Sequence, residues 1–293
     1  MSRLHLLAAA LAALLAPLPA AAAPYEVPRS EVRTMQAPSG GAYRIMIARP
    51  ERPPPPGGYP VIYVLDGDDN FAIVAETAER FGRNPGFAPG IVVGIGYPGS
   101  SRRSFDYTPV SAEGGPRGEP TGGAAAFRAF LADTVRPAIE RDFPIDRSRQ
   151  AIIGHSFGGL FVLDTLFVRP DMFQVYIAAS PSIWFGDRDV LNREAAFVRR
   201  MAQGDLHPIL VLTVGSDEQE APPWMSDPAE RARAERRNGE RRMVDNVTDL
   251  GARLTGVPGL SVHRRVLMGE HHGTSMLPAI GNGLTFIFAA RRP

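Results

Sequence analysis

Short, wholly apolar runs recur along this chain and alternate with stretches whose apolar residues return every three or four positions. Residues 60–65 (PVIYVL), 91–95 (IVVGI), 151–153 (AII), 175–179 (VYIAA) and 209–214 (ILVLTV) belong to the first kind, and the more polar 261–267 (SVHRRVL) is a further expected strand. Runs this short, β-branched and bounded by turn residues predict strands buried in a sheet. The stretches 71–81, 124–141, 190–202, 230–254 and 276–290 carry the helical period, as do Leu160, Phe161, Leu163 and Leu166. Nearer the start, Val32–Met35 and Tyr43–Ile47 flank Gly40-Gly41, the pattern of a hairpin. Prolines 53–56 with Gly57-Gly58 predict a stiff surface loop, and 96–123 a long functional loop rich in Gly and Pro. Strands alternating with amphipathic helices predict an α/β fold, a mostly parallel twisted sheet with helices on both faces. No internal repeat interrupts this order, so a single domain is expected over 24–293.

The first residues do not fit that alternation. Met-Ser-Arg-Leu-His leads into an Ala/Leu run ending Ala20-Ala21-Ala22-Ala23-Pro24. A basic start, an apolar middle and a small-residue end predict a signal peptide over 1–23, cleaved near Ala23. The run is short, and Pro17 and Pro19 break its end, which argues against a stable membrane span. A periplasmic or secreted bacterial protein is the expectation.

Composition narrows the chemistry. The chain has 293 residues, 44% hydrophobic and 22% charged, with a formal net charge of +1. That balance describes a globular protein with a large core and gives no global case for a nucleic-acid partner. The 32 basic residues are all arginine, so no lysine can serve as a base or Schiff-base former. Cysteine is absent, which excludes thiol nucleophiles, thiolate metal sites and disulfides.

The most specific local signal is Gly154-His155-Ser156-Phe157-Gly158, fed by an apolar strand pattern and followed by a helical one. This is G-x-S-x-G in the strand–turn–helix context that lifts a serine hydroxyl out of a sheet. Gly154 and Gly158 leave room where strand and helix nearly touch. The turn also aims a helix N-terminus at negative charge forming beside the serine. A serine hydroxyl needs a base to take its proton and a third group to orient that base. The chain order expected with this motif is serine, acid, histidine. His271 and His272 alone occupy a loop between the last strand and the last helix; His272, beside the pliant Gly273, is the favoured base. Asp217, Glu218 and Glu220 follow the strand at 209–214, and spacing ranks them equally as the acid. For the oxyanion, the expected donors are the N–H of Phe157 and that of Asp68, with Gly67 allowing close approach. Asp66–Asn70 also has the oxygen density of a calcium loop but lacks its terminal glutamate, so no metal is expected.

Taken together, these segments resemble the esterase D-like family of α/β hydrolases, and within it the periplasmic siderophore trilactone esterases. The resemblance rests on YPVIYVLDGDDNF (59–71), GIGYP (94–98), RRSFDYTP (102–109), IIGHSFGGLF (152–161), ASPSIWF (179–185), LTVGSDEQE (212–220) and GEHHGTSMLPAI (269–280). It implies the α/β-hydrolase fold over 24–293, a nucleophile at Ser156 and a base at His272. It places the family's post-strand glutamate on Glu218, with Asp217 as rival. The family's E-x-H-x-S pattern departs here, because Thr274 follows Gly273 and Ser275 comes one later. The likeness also puts Arg103, Asp106 and Tyr107 at the mouth of the site; Trp184, His155 and His271 complete the candidate substrate contacts. The arginine-rich stretch 231–242 reads as a salt-bridged exposed helix, with a cationic lid as its alternative.

The expected activity is serine-dependent hydrolysis of a carboxylic ester through an acyl-enzyme, on a siderophore trilactone or related small-molecule ester. No metal or organic cofactor is called for. An acyltransferase of the mycolyl- or diacylglycerol-transferring kind is the first alternative, and a ligand-binding relative without turnover the second. Oligomeric state leaves no mark in the sequence.

Overall fold

The computed structural model describes residues 24–112 and 114–290, so the expected signal segment 1–23 lies outside the described residues. Eight strands form one sheet in the order β1-β2-β4-β3-β5-β6-β7-β8. They are β1 (Ser30–Gln36), β2 (Ala42–Ala48), β3 (Tyr59–Val64), β4 (Ile91–Gly96), β5 (Ile145–His155), β6 (Val175–Ala179), β7 (Ile209–Gly215) and β8 (Ser261–Leu267). The β1–β2 hairpin pairs antiparallel with itself and with β4, and every later pairing is parallel. All residues of β4 and β6 are buried, as continuous apolar strands covered on both faces must be.

Helices α1 (Gly67–Gly82), α2 (Ala124–Phe130), α3 (Arg136–Asp142), α4 (Phe157–Val168), α5 (Glu194–Met201), α6 (Pro228–Arg241), α7 (Met243–Leu254) and α8 (Met276–Phe288) clothe the sheet. Two apolar layers result. One face packs Tyr63, Ile152, Tyr176 and Leu212 against α4 and its neighbours. The other packs Ile62, Ile153, Ile177 and Val211 against α1 and α8. Adjacent strand residues supply opposite layers, which is the two-residue period of a strand.

Some expectations shift. Helix α1 begins at Gly67, four residues before the expected start, because Asp66 turns the chain in a left-handed conformation (φ 49°) directly after β3. The single helix expected over 230–254 is two. Arg242 sits between α6 and α7 with φ 48° and ψ 46°, outside the right-handed helical region. The helix expected at 124–141 holds a π-helical stretch, Leu131–Val135, between α2 and α3.

Strand β5 reaches the turn that matters most. Gly154 packs so close to α4 that an added Cβ would lie 2.5 Å from the carbonyl carbon and oxygen of Gly158. Gly159 is likewise pressed on Ala179 O, where a Cβ would approach to 2.7 Å. With those side chains absent, α4 lies flush on β5 and β6 and is buried along almost its whole length. Its one carboxylate, Asp164, is held by Arg128 at 2.6 Å and Arg193 at 3.0 Å, which locks α4 to the segments on either side.

Candidate active site

Ser156 occupies the turn between β5 and α4 with φ 61° and ψ −117°, a conformation that costs a non-glycine residue about 1–3 kcal/mol. Its surroundings hold it there. Ser156 N–H donates to Ala179 O, its own carbonyl accepts from Leu160 N–H and Ser182 N–H, and both flanking elements are packed. The hydroxyl is thereby aimed away from the sheet toward the C-terminal strand ends.

His272 reaches it from the turn after β8. Its Nε2 lies 3.0 Å from Ser156 Oγ, and its Nδ1 lies 2.7 Å from Glu218 Oε2. Glu218 comes from the turn after β7, so the C-terminal ends of β5, β7 and β8 supply the three groups. The second carboxylate oxygen, Oε1, accepts from Ser180 Oγ at 2.5 Å and from Gly215 N–H at 2.7 Å. Burial by itself would raise the carboxyl pKa. The bonds from His272, Ser180 and the Gly215 amide outweigh it and hold Glu218 below the usual range.

Of the two carboxylates favoured for the acid, the structure brings Glu218 to the histidine and leaves Asp217 aside. Asp217 lines the same cavity but has no bond to the histidine; it accepts from Ser216 Oγ at 2.6 Å. Glu220 is exposed at the cavity rim.

Beside Phe157, the first residue of α4, the N–H has no acceptor within its own helix and stands next to the serine. The loop after β3 does not deliver Gly67 and Asp68 to the cavity as expected. The left-handed turn at Asp66 lays Gly67 on the backbone of Gly94 and Ile95. It sends the Asp68 carboxylate to Tyr97 N–H at 2.7 Å and Arg44 at 2.6 Å. What this loop brings to the site is Asp66 with its ion partner. Arg103 grips Asp66 through Nε and Nη2 at 2.9 and 3.1 Å, and Nη2 also donates to His155 O at 3.3 Å. The Arg103 guanidinium lies 5.6 Å from the Phe157 ring, so a fixed positive charge borders the serine.

These groups line an open cavity of about 340 Å³, large enough for a small-molecule ester. Arg103, Trp184 and His271 face it as expected. Tyr107 does not: it is fully buried, and its hydroxyl accepts from Asp66 N–H at 3.0 Å, bracing the loop from behind. Asp106 is buried alongside it. His155 does not line the cavity either. Its ring lies 4.6 Å from that of His272, and its Nε2 lies 3.4 Å from Ser275 Oγ. Burial, then the neighbouring His272, depresses the His155 pKa to about 3, so it stays neutral.

Several contributors were not anticipated. Ser182 Oγ lies 3.4 Å from Ser156 Oγ, and Ser275 bonds Ser180 at 2.8 Å beneath the histidine loop. Arg237, Asn238 and Arg241 of α6 form one wall. The arginine-rich helix therefore combines both readings: Arg231 pairs with Glu235 on its outer side, while Arg237 and Arg241 turn to the cavity. Among the described residues, no group of three His, Asp or Glu side chains is placed to hold a metal ion. Nor is any helix among them long and apolar enough to cross a membrane.

Comparison with known proteins agrees with this architecture. The chain is 37% identical over 280 residues to the siderophore triacetylfusarinine C esterase of Aspergillus fumigatus, covering 90% of this chain and 95% of that one. It is 40% identical over 220 residues to the ferri-bacillibactin esterase BesA of Bacillus subtilis, covering 70% and 76%. In structure it is similar to the siderophore hydrolase EstB of Aspergillus nidulans, with a TM-score of 0.81, 34% identity and coverage of 92% and 98%. The family model described as "Putative esterase" matches residues 37–260, most of the chain. The chain belongs to that esterase family, on the α/β-hydrolase fold.

Proposed function

We propose that this protein hydrolyses the ester bonds of a siderophore by way of an acyl-enzyme on Ser156. The observation that carries the mechanism is the unbroken series from Ser156 Oγ through the His272 ring to Glu218, at 3.0 and 2.7 Å. In this reading Ser156 Oγ attacks the ester carbonyl carbon while His272 Nε2 takes its proton. Glu218 holds Nδ1–H and stabilises the imidazolium. The oxyanion accepts from Phe157 N–H, with the Arg103 charge beside it. As the C–O bond breaks, His272 returns the proton to the departing alkoxide. Water then repeats the sequence on the acyl-enzyme and releases the acid. The siderophore class is supported by the relatives, whose names specify siderophore esters. The basic–apolar–small pattern of 1–23 supports export, so we place the reaction in the periplasm or outside the cell.

The test combines turnover and labelling. Wild-type protein should cleave a catecholate trilactone or a cyclic hydroxamate ester, and a fluorophosphonate probe should label Ser156. Ser156→Ala should lose both, with turnover down by about 10⁴-fold or more. Full activity in that variant would sink the mechanism. Recovery of exported protein beginning at Met1 would sink the assignment of 1–23.

A further inference from the structure

One wall of the cavity carries more positive charge than the ester chemistry uses. Arg103 is neutralised by Asp66. Arg237 and Arg241 are not: among the described residues neither forms an ion pair with a carboxylate, although eighteen other pairs tie up arginines across the protein surface and core. Both stand one helical turn apart on α6 and face the cavity. The half-buried Arg241 lies flat against Trp184, its guanidinium carbon 4.4 Å from the ring centroid. Trp184 in turn contacts Phe157, with centroids 6.1 Å apart, so the arginine wall continues from the serine's own neighbour.

Two guanidinium groups one helical turn apart without a counter-charge repel each other, and the partial burial of Arg241 adds to the cost. Burial, then the adjacent Arg237, lowers the hold of Arg241 on its proton. Such a pair is relieved when an anion enters between the two groups. Of the three acidic residues that line the cavity, Glu218 is committed to His272, and Asp217 and Glu220 make no ion pair with either arginine. Guanidinium forks suit planar oxyanions, and the indole beneath Arg241 suits a flat or conjugated group that carries one.

We propose that Arg237 and Arg241, backed by Trp184, form a subsite for an anionic oxygen group of the substrate, remote from the ester under attack. The subsite rests on the hydrolase reading above and adds to it that the preferred esters are anionic. A carboxylate and an acidic phenolate satisfy the same chemistry. The subsite therefore favours siderophores whose iron-binding arms carry net negative charge over those whose arms are neutral.

The test uses 4-nitrophenyl monoesters of adipic, pimelic and suberic acids beside their ω-methyl esters, which match them in length without the charge. Wild-type kcat/KM should be at least about tenfold higher for one anionic chain than for its methyl ester, and the ratio should shrink with added salt. In Arg241→Gln and Arg237→Gln the ratio should fall toward one. Measuring a ratio within each variant cancels any general loss of folded enzyme. Arg241→Lys, which keeps the charge, should retain part of the preference. A salicylate arm compared with its methyl ester, as competitive inhibitors, separates phenolate-bearing aryl acids from simple carboxylates. Equal turnover of the charged and methyl esters by the wild type would overturn the subsite while leaving the hydrolase intact. Failure to cleave either series, together with unlabelled Ser156, would instead overturn the hydrolase reading.

Discussion

His272 Nδ1 and Glu218 Oε2 lie 2.7 Å apart, yet the histidine side chain is 42% exposed and the glutamate side chain fully buried. The acid is thus dry and rigid, and the base it steers stands at the edge of water. A carboxylate in that position holds one tautomer and stabilises the imidazolium. Glu218→Gln should keep the packing but lose that charge. We expect kcat to fall about 10³- to 10⁴-fold with KM little altered. Steady-state kinetics on one ester decide it; a loss under tenfold would mean that Ser156 and His272 work as a dyad.

Ser180 touches none of the reacting atoms; its hydroxyl donates to Glu218 Oε1 at 2.5 Å and meets Ser275 Oγ at 2.8 Å. Ser180→Ala should lower kcat by about tenfold, roughly the worth of one charge-assisted hydrogen bond, and leave KM near its wild-type value. Stability should respond too. The folded Glu218 pKa is depressed, so its contribution is present above the unfolded value and lost as pH falls through the folded one. Losing the Ser180 bond raises the folded pKa and trims that contribution. The Tm deficit of the variant should be largest near neutrality and narrow in acid, while a merely structural role would give a constant deficit.

His155 titrates with the same sign but over a higher pH window. Folding keeps it neutral with a pKa near 3, whereas the unfolded chain protonates it near pH 6.5. The unfolded state therefore binds more protons between those values, and stability falls as pH drops from about 6.5 toward 3. The slope from this one group approaches 1.4 kcal/mol per pH unit. His155→Gln should flatten the decline of Tm between pH 6 and 4. An unchanged slope would show that other groups govern acid sensitivity.

Gly154→Ala places a methyl group 2.5 Å from the Gly158 carbonyl, with backbone on both sides and no side chain free to move. We expect about 3 kcal/mol or more of destabilisation, at the upper end of overpacking costs. Gly239→Ala, on the open face of α6 with nothing near the added carbon, is the control and should be neutral or stabilising. Chemical denaturation of both variants gives the comparison.

The sheet and its helices were legible because strands covered on both faces are continuous apolar runs, as in β4 and β6. Ser156 and His272 were legible because their order and their places after β5 and β8 are fixed by topology. Spacing left the acid open among Asp217, Glu218 and Glu220, and only the side-chain positions single out Glu218. Side-chain direction was not legible. Tyr107 lies in a polar, glycine-rich stretch that reads as a rim, but its ring fills the core and its hydroxyl serves Asp66. The Asp68 carboxylate goes to Arg44 and Tyr97 N–H because the chain turns at a left-handed Asp66, and nothing in Leu65-Asp66-Gly67 announces that Asp66 takes the positive φ in place of the glycine. The break at Arg242 is hidden for the same reason, since arginine carries no mark of a positive φ. Ser180, Ser182 and Ser275 look like loop hydroxyls until tertiary packing buries all three.

Arg242 has a consequence that reaches past the shape of two helices. On one side of this single left-handed residue, α7 is fastened to β7 and β8; on the other, α6 brings arginines to the cavity and none of the three residues in the proton path. The two arginines of the proposed subsite and the three residues of the proton path thus come from different segments of the chain. Exchange of the segment 219–242 for one of different charge would redirect the enzyme toward other esters while the strand ends kept their chemistry.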